Sequence, residues 1–228
     1  NIIMGPQSAG KSCILKIACF CAWAEKCIEL EQGKNGFSNF SYVEETLVDF
    51  HKLNGFLRPG SKFSYKTEHV EFTCDFDERV FDLVWNEDGR WSYKRSRVSY
   101  IPAERNLMAI VPNWLDVRLS NSNILNFVSD WNLTRQLYAK SKALPILNLG
   151  VSYYYDQSSK TDYIKLGDGH EIEFTNASSG LQSLVPMWVY LDYLFNNQYH
   201  REMFSSVSKD AENEDILQHI YAVRFKDG

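Results

Sequence analysis

A chain of 228 residues is long enough for one large domain or two small ones, and a composition of 44% hydrophobic and 23% charged residues excludes a disordered or fibrous protein. The formal charge of -5 and a pI near 5.6 exclude a globally basic protein, so any nucleic-acid site must be local. No apolar run reaches the ~20 residues needed to cross a bilayer. The longest, Leu184 to Phe195, is interrupted by Pro186 and Asp192, and no membrane partner is expected.

Asn1 to Met4 reads as a short buried strand, without the charged start of a secretory signal; the lack of an initiator Met points to a start upstream. Lys11 to Glu31 reads as a helix with apolar Ile14, Leu15, Ile17, Ala18, Ala22 and Ile28. Cys13, Cys19, Cys21 and Cys27 fall in this segment and Cys74 stands apart. None has CxxC spacing, so they read as reduced core thiols of a cytosolic protein. Gly33 to Ser41 is a loop by composition, and Val43 to Leu53 a second amphipathic helix, ended by Arg58-Pro59-Gly60.

From Phe63 the pattern alternates, predicting strands at Val70 to Asp75, Arg79 to Trp85, Trp91 to Lys94 and Arg97 to Ile101, with Asn86-Glu87-Asp88-Gly89 turning one hairpin. Ser122 to Ala139 returns to helical spacing through Ile124, Phe127, Val128, Trp131 and Tyr138, a stripe that reads as core. Asp162 to Leu166 and His170 to Phe174 flank Gly167-Asp168-Gly169 as a second hairpin. A buried helix is expected over Leu184 to Asn196 with Pro186 in its first turn, and another helix over Asp210 to Val223.

The sharpest motif is Gly5-Pro6-Gln7-Ser8-Ala9-Gly10-Lys11-Ser12, which fits GxxxxGK[ST]. Its glycines let successive backbone N–H groups curl around phosphates, Lys11 pairs with the terminal phosphates, and the Ser12 hydroxyl ligates magnesium. With Cys13 as the next helical residue, Gly5 to Cys13 is the expected ATP-binding loop and ATP with Mg2+ the expected cofactor.

Downstream, Ser178-Ser179-Gly180-Leu181-Gln182 is by itself a small-polar helix start. Together with the phosphate loop it makes the chain resemble the ABC-like ATPases of the SMC and RecF kind, and the compact AAA-annotated relatives found in bacterial DNA repair and anti-phage systems. In that superfamily a degenerate LSGGQ signature at a helix N-terminus contacts the terminal phosphate of ATP held by the opposite subunit. Ser179, Gly180 and Gln182 match its Ser, first Gly and Gln, Ser178 precedes them, and Leu181 replaces the second Gly. The resemblance also implies a lobe-connecting loop at Tyr100 to Asn106. No Gln stands there, so Glu104 or Asn106 takes its place, with Glu104 the candidate catalytic carboxylate; Arg105 reads equally as a surface ion pair.

Trp188-Val189-Tyr190-Leu191-Asp192 looks like a Walker B strand but belongs to the signature helix, and Tyr193 stands where a catalytic Glu is required. No other segment ends an apolar run in Asp-Glu, and no switch histidine is assigned among His51, His69, His170, His200 and His219. Either Walker B lies past Gly228 or hydrolysis is inefficient. Arg90, Lys94, Arg95 and Arg97 interleave with Trp91 and Tyr93, as nucleic-acid surfaces often do, though a charged edge strand that discourages aggregation is the favoured reading.

The expected architecture is an α/β P-loop fold of ABC-like type with an antiparallel β-meander and a short helical lobe. Its parts are a nucleotide-binding lobe (1–104), a helical lobe (105–165) and the signature hairpin with the following helices (166–228). The expected function is ATP-driven head-to-tail dimerisation with a second copy or a homologous ATPase, controlling an effector nuclease or toxin. The alternative is a nonhydrolysing ATP sensor that holds such an effector, and a transporter ATPase subunit comes third.

Overall fold

The computed structural model describes residues 3–7, 9–94, 97–111 and 122–197, which form a mixed α/β structure. The expected 210–223 helix, Ser8, Arg95, His200 and His219 lie outside these residues. The chain divides after Tyr100 into two compact units, where the sequence reading places its first boundary after Glu104.

In the first unit the long helix α1 runs over Lys11–Glu31, the bounds its pattern predicts. Gly10 enters it at φ 78°, a conformation that only Gly adopts without strain. Gln32 closes it at φ 51°, and the Gly33 N–H returns to the Ile28 carbonyl at 3.2 Å, capping the last turn. The buried stripe is Phe20, Cys21, Ala24 and Ile28, in i, i+4 steps. It begins later than expected, because Ile14 and Leu15 are 52% and 49% exposed. Glu25 and Glu29 share the buried face. Glu25 is satisfied there by the hydroxyls of Tyr65 at 2.8 Å and Thr67 at 2.6 Å.

Helix α2, Phe40–Val43, starts earlier than the pattern suggests. It widens over Glu44–Asp49 into longer-period turns, with the Phe50 N–H reaching Glu45 at 3.0 Å. Val43, Leu47 and Leu53 are buried and Phe50 half-buried, so the predicted stripe survives the change of period.

Strands β1 (Lys62–Lys66), β2 (Val70–Asp75) and β3 (Val80–Trp85) form an antiparallel meander. Alternation puts Val70, Phe72, Cys74 and Phe81 in the core beneath α1 and α2. The outward β1–β2 pairs are all complementary: Lys62 with Asp75 at 3.0 Å, Ser64 with Thr73 at 2.9 Å, Lys66 with Glu71 at 2.6 Å. A one-residue slip would break all three and turn the core face outward.

The strands expected at Trp91 to Lys94 and Arg97 to Ile101 are absent among the described residues. The Asn86–Gly89 turn is real, with Gly89 N–H to Asn86 carbonyl at 3.1 Å, but it folds against the β1–β2 turn instead of starting a hairpin. His69 Nδ1 donates to the Gly89 carbonyl at 2.9 Å. The expected buried strand at Asn1 to Met4 is also not seen: Ile3 and Met4 lie in no strand and are 39% and 88% exposed, while Asn1 and Ile2 lie outside the described residues. Both sheets are antiparallel, so the parallel sheet that a phosphate-loop fold is built on is not among the described residues.

The second unit begins with the turn Ala103–Asn106 and helix α3, Leu107–Ile110. Helix α4, Asn123–Arg135, is capped by the Ser122 hydroxyl and buries Phe127, Val128 and Trp131, as its stripe predicts. A four-stranded antiparallel meander follows: β4 (Leu144–Pro145), β5 (Ser152–Asp156), β6 (Thr161–Lys165) and β7 (Glu171–Glu173). The β6–β7 hairpin turns at Gly167-Asp168-Gly169 as read, with Gly169 at φ 90°. Helix α5 spans Ser179–Asp192 and continues in wider turns over Tyr193–Asn197.

Alpha5 starts five residues before the expected Leu184, so Pro186 lies about two turns inside it and not in the first turn. There it deprives the Gln182 carbonyl of its helical partner. Around Trp131, the Tyr153 and Phe174 rings pack at 5.5 and 6.4 Å. Buried Arg135 meets Asp162 at 2.8 Å, and Asp162 also accepts from the Tyr153 hydroxyl. Such a pair is costly to break from one side only.

A Cβ on Gly89 would stand 1.8 Å from the Glu68 carbonyl oxygen, whereas one on Gly180 meets nothing within 4 Å. In urea unfolding, Gly89→Ala is expected to cost more than about 2 kcal/mol. Gly180→Ala should gain up to about 1 kcal/mol from helix propensity. A Gly89→Ala protein as stable as the parent would refute the packing of this turn.

Candidate functional site

Gly5, Pro6, Gln7 and Ala9 are exposed and form a tight turn, closed by the Ala9 N–H on the Pro6 carbonyl at 3.3 Å. Left-handed Gly10 then turns the chain into α1, where the Ile14 N–H takes the Gly10 carbonyl at 3.1 Å. Lys11 folds back over the turn, its Nζ donating to the carbonyls of Gly5 at 2.9 Å and Pro6 at 2.5 Å. Ser12 is exposed in the first helical turn and Cys13 half-buried behind it.

That first turn carries no acidic residue and no side-chain cap. Its leading N–H groups have no partner within the helix, and the positive end of the dipole favours an anion there. The arrangement therefore suits a phosphate chain that Lys11 can reach by leaving the two carbonyls. For magnesium the fit is narrower. Among the described residues no group of three His, Cys, Asp or Glu side chains is placed to hold a metal. A magnesium ion held mainly by phosphate oxygens and water needs only one or two protein oxygens, and the Ser12 hydroxyl can be one.

In the second unit Ser178 caps α5, its hydroxyl accepting from the Leu181 N–H at 3.4 Å. Ser179 and Gly180 are exposed at the helix start. Gln182 is turned away from solvent, its side-chain amide donating to the Thr175 carbonyl at 2.9 Å. Thus Ser178, Ser179, Gly180 and Gln182 do share one helix start, but Gln182 serves as an anchor in this state.

Glu104 is exposed on the 103–106 turn, in the same unit as α5, while the Gly5–Ser12 motif belongs to the first unit. Among the described residues Arg105 is half-buried and makes no ion pair. Its Nε donates to the Ser183 carbonyl at 2.8 Å and its Nη1 to that of Pro102 at 3.2 Å, a bridge that spacing alone does not reveal. The string Trp188 to Asp192 is helical, and the Asp192 carboxylate accepts from the Tyr138 hydroxyl at 2.7 Å and the Asn196 amide at 2.8 Å.

Among the described residues the basic segment forms no strand. Arg90 lies over Trp85 at 4.3 Å and Trp91 at 5.1 Å, with Glu87 at 3.7 Å, so it packs the turn. Lys94 is exposed and Arg97 reaches Ser99 at 3.4 Å. A groove of about 410 Å³ in the first unit, lined by Val48, Leu57, Arg58, Phe76 and Arg79 among others, shares no residue with the phosphate loop.

Burial pushes the Cys21 and Cys74 thiols up to about 12 and Cys19 up to about 11, which leaves them protonated, as core residues are. Burial likewise raises the Glu29 carboxyl, against the pull of His69. No helix among the described residues is long and apolar enough to cross a membrane. Comparison of the chain with family models, curated proteins and solved structures yields no match.

His51 is 3% exposed, packed against the rings of Phe50 and Tyr100, with the charge of Lys16 acting on it. Burial, and then Lys16, lower its pKa from 6.5 to about 4. The unfolded chain therefore binds a proton that the folded one does not as pH falls from 6.5 towards 4. The stability that neutral His51 permits is fully present above 6.5 and declines through that window. His51→Phe should flatten this part of the stability-against-pH curve measured by urea unfolding; parallel curves for the two proteins would refute it.

Proposed function

We propose that this chain binds ATP with magnesium through Gly5 to Cys13 and works as an ABC-like P-loop ATPase. The observation that supports the reading is the geometry of the turn ahead of α1: left-handed Gly10 feeds the helix, and Lys11 arches over the carbonyls of Gly5 and Pro6. With two carbonyls gathered under the lysine, the N–H groups of the first turn of α1 are left for an anion, and the Ala9 N–H, which closes the turn on Pro6, would have to exchange that carbonyl to join them. On binding, Lys11 exchanges two carbonyls for phosphate oxygens, the loop and helix N–H groups hold the β- and γ-phosphates, and Ser12 supplies an oxygen to magnesium.

In this reading the exposed Ser179–Gly180 start of α5 faces the terminal phosphate held by a second copy, in a head-to-tail pair. Hydrolysis, an attack of water on the γ-phosphorus with ADP leaving, needs a carboxylate to orient that water, and Glu104 is the candidate. The pair would drive an effector such as a nuclease or toxin in DNA repair or anti-phage defence, in the cytoplasm. A nonhydrolysing sensor is the second reading. It is favoured by the Asp192 carboxylate, already engaged by Tyr138 and Asn196 on a helix.

Among the described residues the hydrogen bonds of Lys11 go to exposed carbonyls, so in Lys11→Ala the protein should stay folded while calorimetric ATP binding is lost. Unchanged affinity would refute the phosphate-loop assignment. Ser179→Glu places a negative charge where the partner's phosphate is to arrive. It should abolish ATP-dependent dimers in light scattering and spare binding by the single chain; persistent dimers would refute the signature assignment. Phosphate release that is lost in Glu104→Gln identifies the hydrolysing reading, and ATP binding without turnover identifies the sensor.

A further inference from the structure

We infer that Arg105 is a positioning residue that clamps the start of α5 to the 103–106 turn, so that Glu104 and the Ser179–Gly180 pair move as one piece. Its functional meaning rests on the nucleotide reading above; its structural content does not.

The guanidinium spans two elements. Its Nη1 holds the Pro102 carbonyl at the entry of its own turn, and its Nε holds the Ser183 carbonyl in α5. Pro186 explains why α5 needs a support here: it removes the N–H that would pair with the Gln182 carbonyl, weakening the ladder next to Ser183. On its other side the same stretch is tied by Gln182 to the Thr175 carbonyl at 2.9 Å. Together with the Ser178 cap, the first two turns of α5 are thus held by the side-chain bonds of Gln182 and Arg105 to backbone carbonyls.

Helix electrostatics does not account for a cation in this place. The macrodipole opposes positive charge near a helix N-terminus, and α5 has no acidic residue in its first turn to offset it. Arg105 is held by its two carbonyls, and an arginine suits them because its planar fork offers donors in fixed directions, as the single ammonium of lysine does not. The 103–106 turn packs on α5, and since Glu104 is the neighbouring residue on that turn, Arg105 adds a directional tie by which a displacement of the helix start is passed to Glu104.

The test uses the full chain with Arg105→Ala and Arg105→Lys, comparing hydrogen exchange at the Leu181 to Ser183 amides, ATP affinity by calorimetry, and ATP-dependent dimerisation by light scattering. Arg105→Ala is expected to raise exchange at these amides by about tenfold. ATP affinity should stay within about twofold, because Lys11 and its loop lie in the other unit, while half-dimerisation needs about tenfold more protein. Arg105→Lys should fall between, and it carries the exchange measurement if the alanine variant does not fold. Unchanged exchange overturns the clamp. Raised exchange with parental dimerisation overturns its role in the ATP cycle. If the parent chain itself binds no ATP, the nucleotide reading fails, and the exchange data alone decide the clamp.

Discussion

The Glu25 carboxylate, buried in the face that α1 lays on the first sheet, is the constraint on which the placement of the first turns of α1 depends. An unpartnered carboxylate there would cost several kcal/mol or be driven to its neutral form. Hydroxyls from Tyr65 on β1 and Thr67 in the β1–β2 turn remove that cost and at the same time set how α1 is rotated and slid along the sheet. A shift of one residue in either direction would offer the hydroxyls Ala24 or Lys26 instead. The same Thr67 oxygen accepts the N–H groups of His69 and Val70, so helix, turn and strand register are joined at one atom. The first turns of α1 extend beyond this buried half with Ile14 and Leu15 exposed, and they carry the loop.

The second unit repeats the solution with different chemistry. Its buried carboxylate, Asp162 on β6, meets a full charge from Arg135 at the end of α4 and the Tyr153 hydroxyl from β5. Burial raises the Asp162 pKa while Arg135 opposes it, so the pair is held together by geometry as much as by charge. Arg135 also lies over the Tyr155 ring at 4.3 Å, which keeps the guanidinium in plane for its partners. Both units are amphipathic helices on an antiparallel meander, each with one polar joint that excludes neighbouring registers.

Elements whose stability is local were the ones legible in the amino-acid pattern. Alpha1, β2 and the Gly167–Gly169 hairpin follow their periodicity and turn residues, because burial on one face and glycine conformation decide them. Where a distant contact decides, the pattern misled. Trp91 to Lys94 alternates like a strand, yet Gly89 packs on the Glu68 carbonyl and sends the chain elsewhere. The start of α5 was placed at Leu184 because apolar residues begin there and Pro186 suits a first turn. The Ser178 cap and the exposed, polar first turn carry the helix back to Ser179. The pattern does not show β1 or the β4–β5 pair, Lys62 to Lys66 because both its ends are charged and Leu144–Pro145 because it is too short to show a period. The candidate site divides in the same way: the residues of the phosphate loop and helix start are visible as motifs, whereas the bridge from Arg105 to Ser183, 78 positions apart, has no local signal.

The bonds that Lys11 makes in this state bear on how a phosphate would compete for it. Two carbonyls satisfy two of three ammonium donors, but both contacts are exposed, and exchange with water makes each worth about 1 kcal/mol or less. The resting contact is therefore a weak latch that keeps the lysine over its own loop without barring an anion. A phosphate offers full negative charge in place of carbonyl dipoles and meets several helix N–H groups together, and charge-assisted bonds are roughly twice as strong as neutral ones. The loop thus needs no rearrangement of the α1 core to change partners. Its small exposed residues and Gly10 allow the exchange, while the buried Glu25 joint about 20 Å along the helix holds the frame against which it occurs.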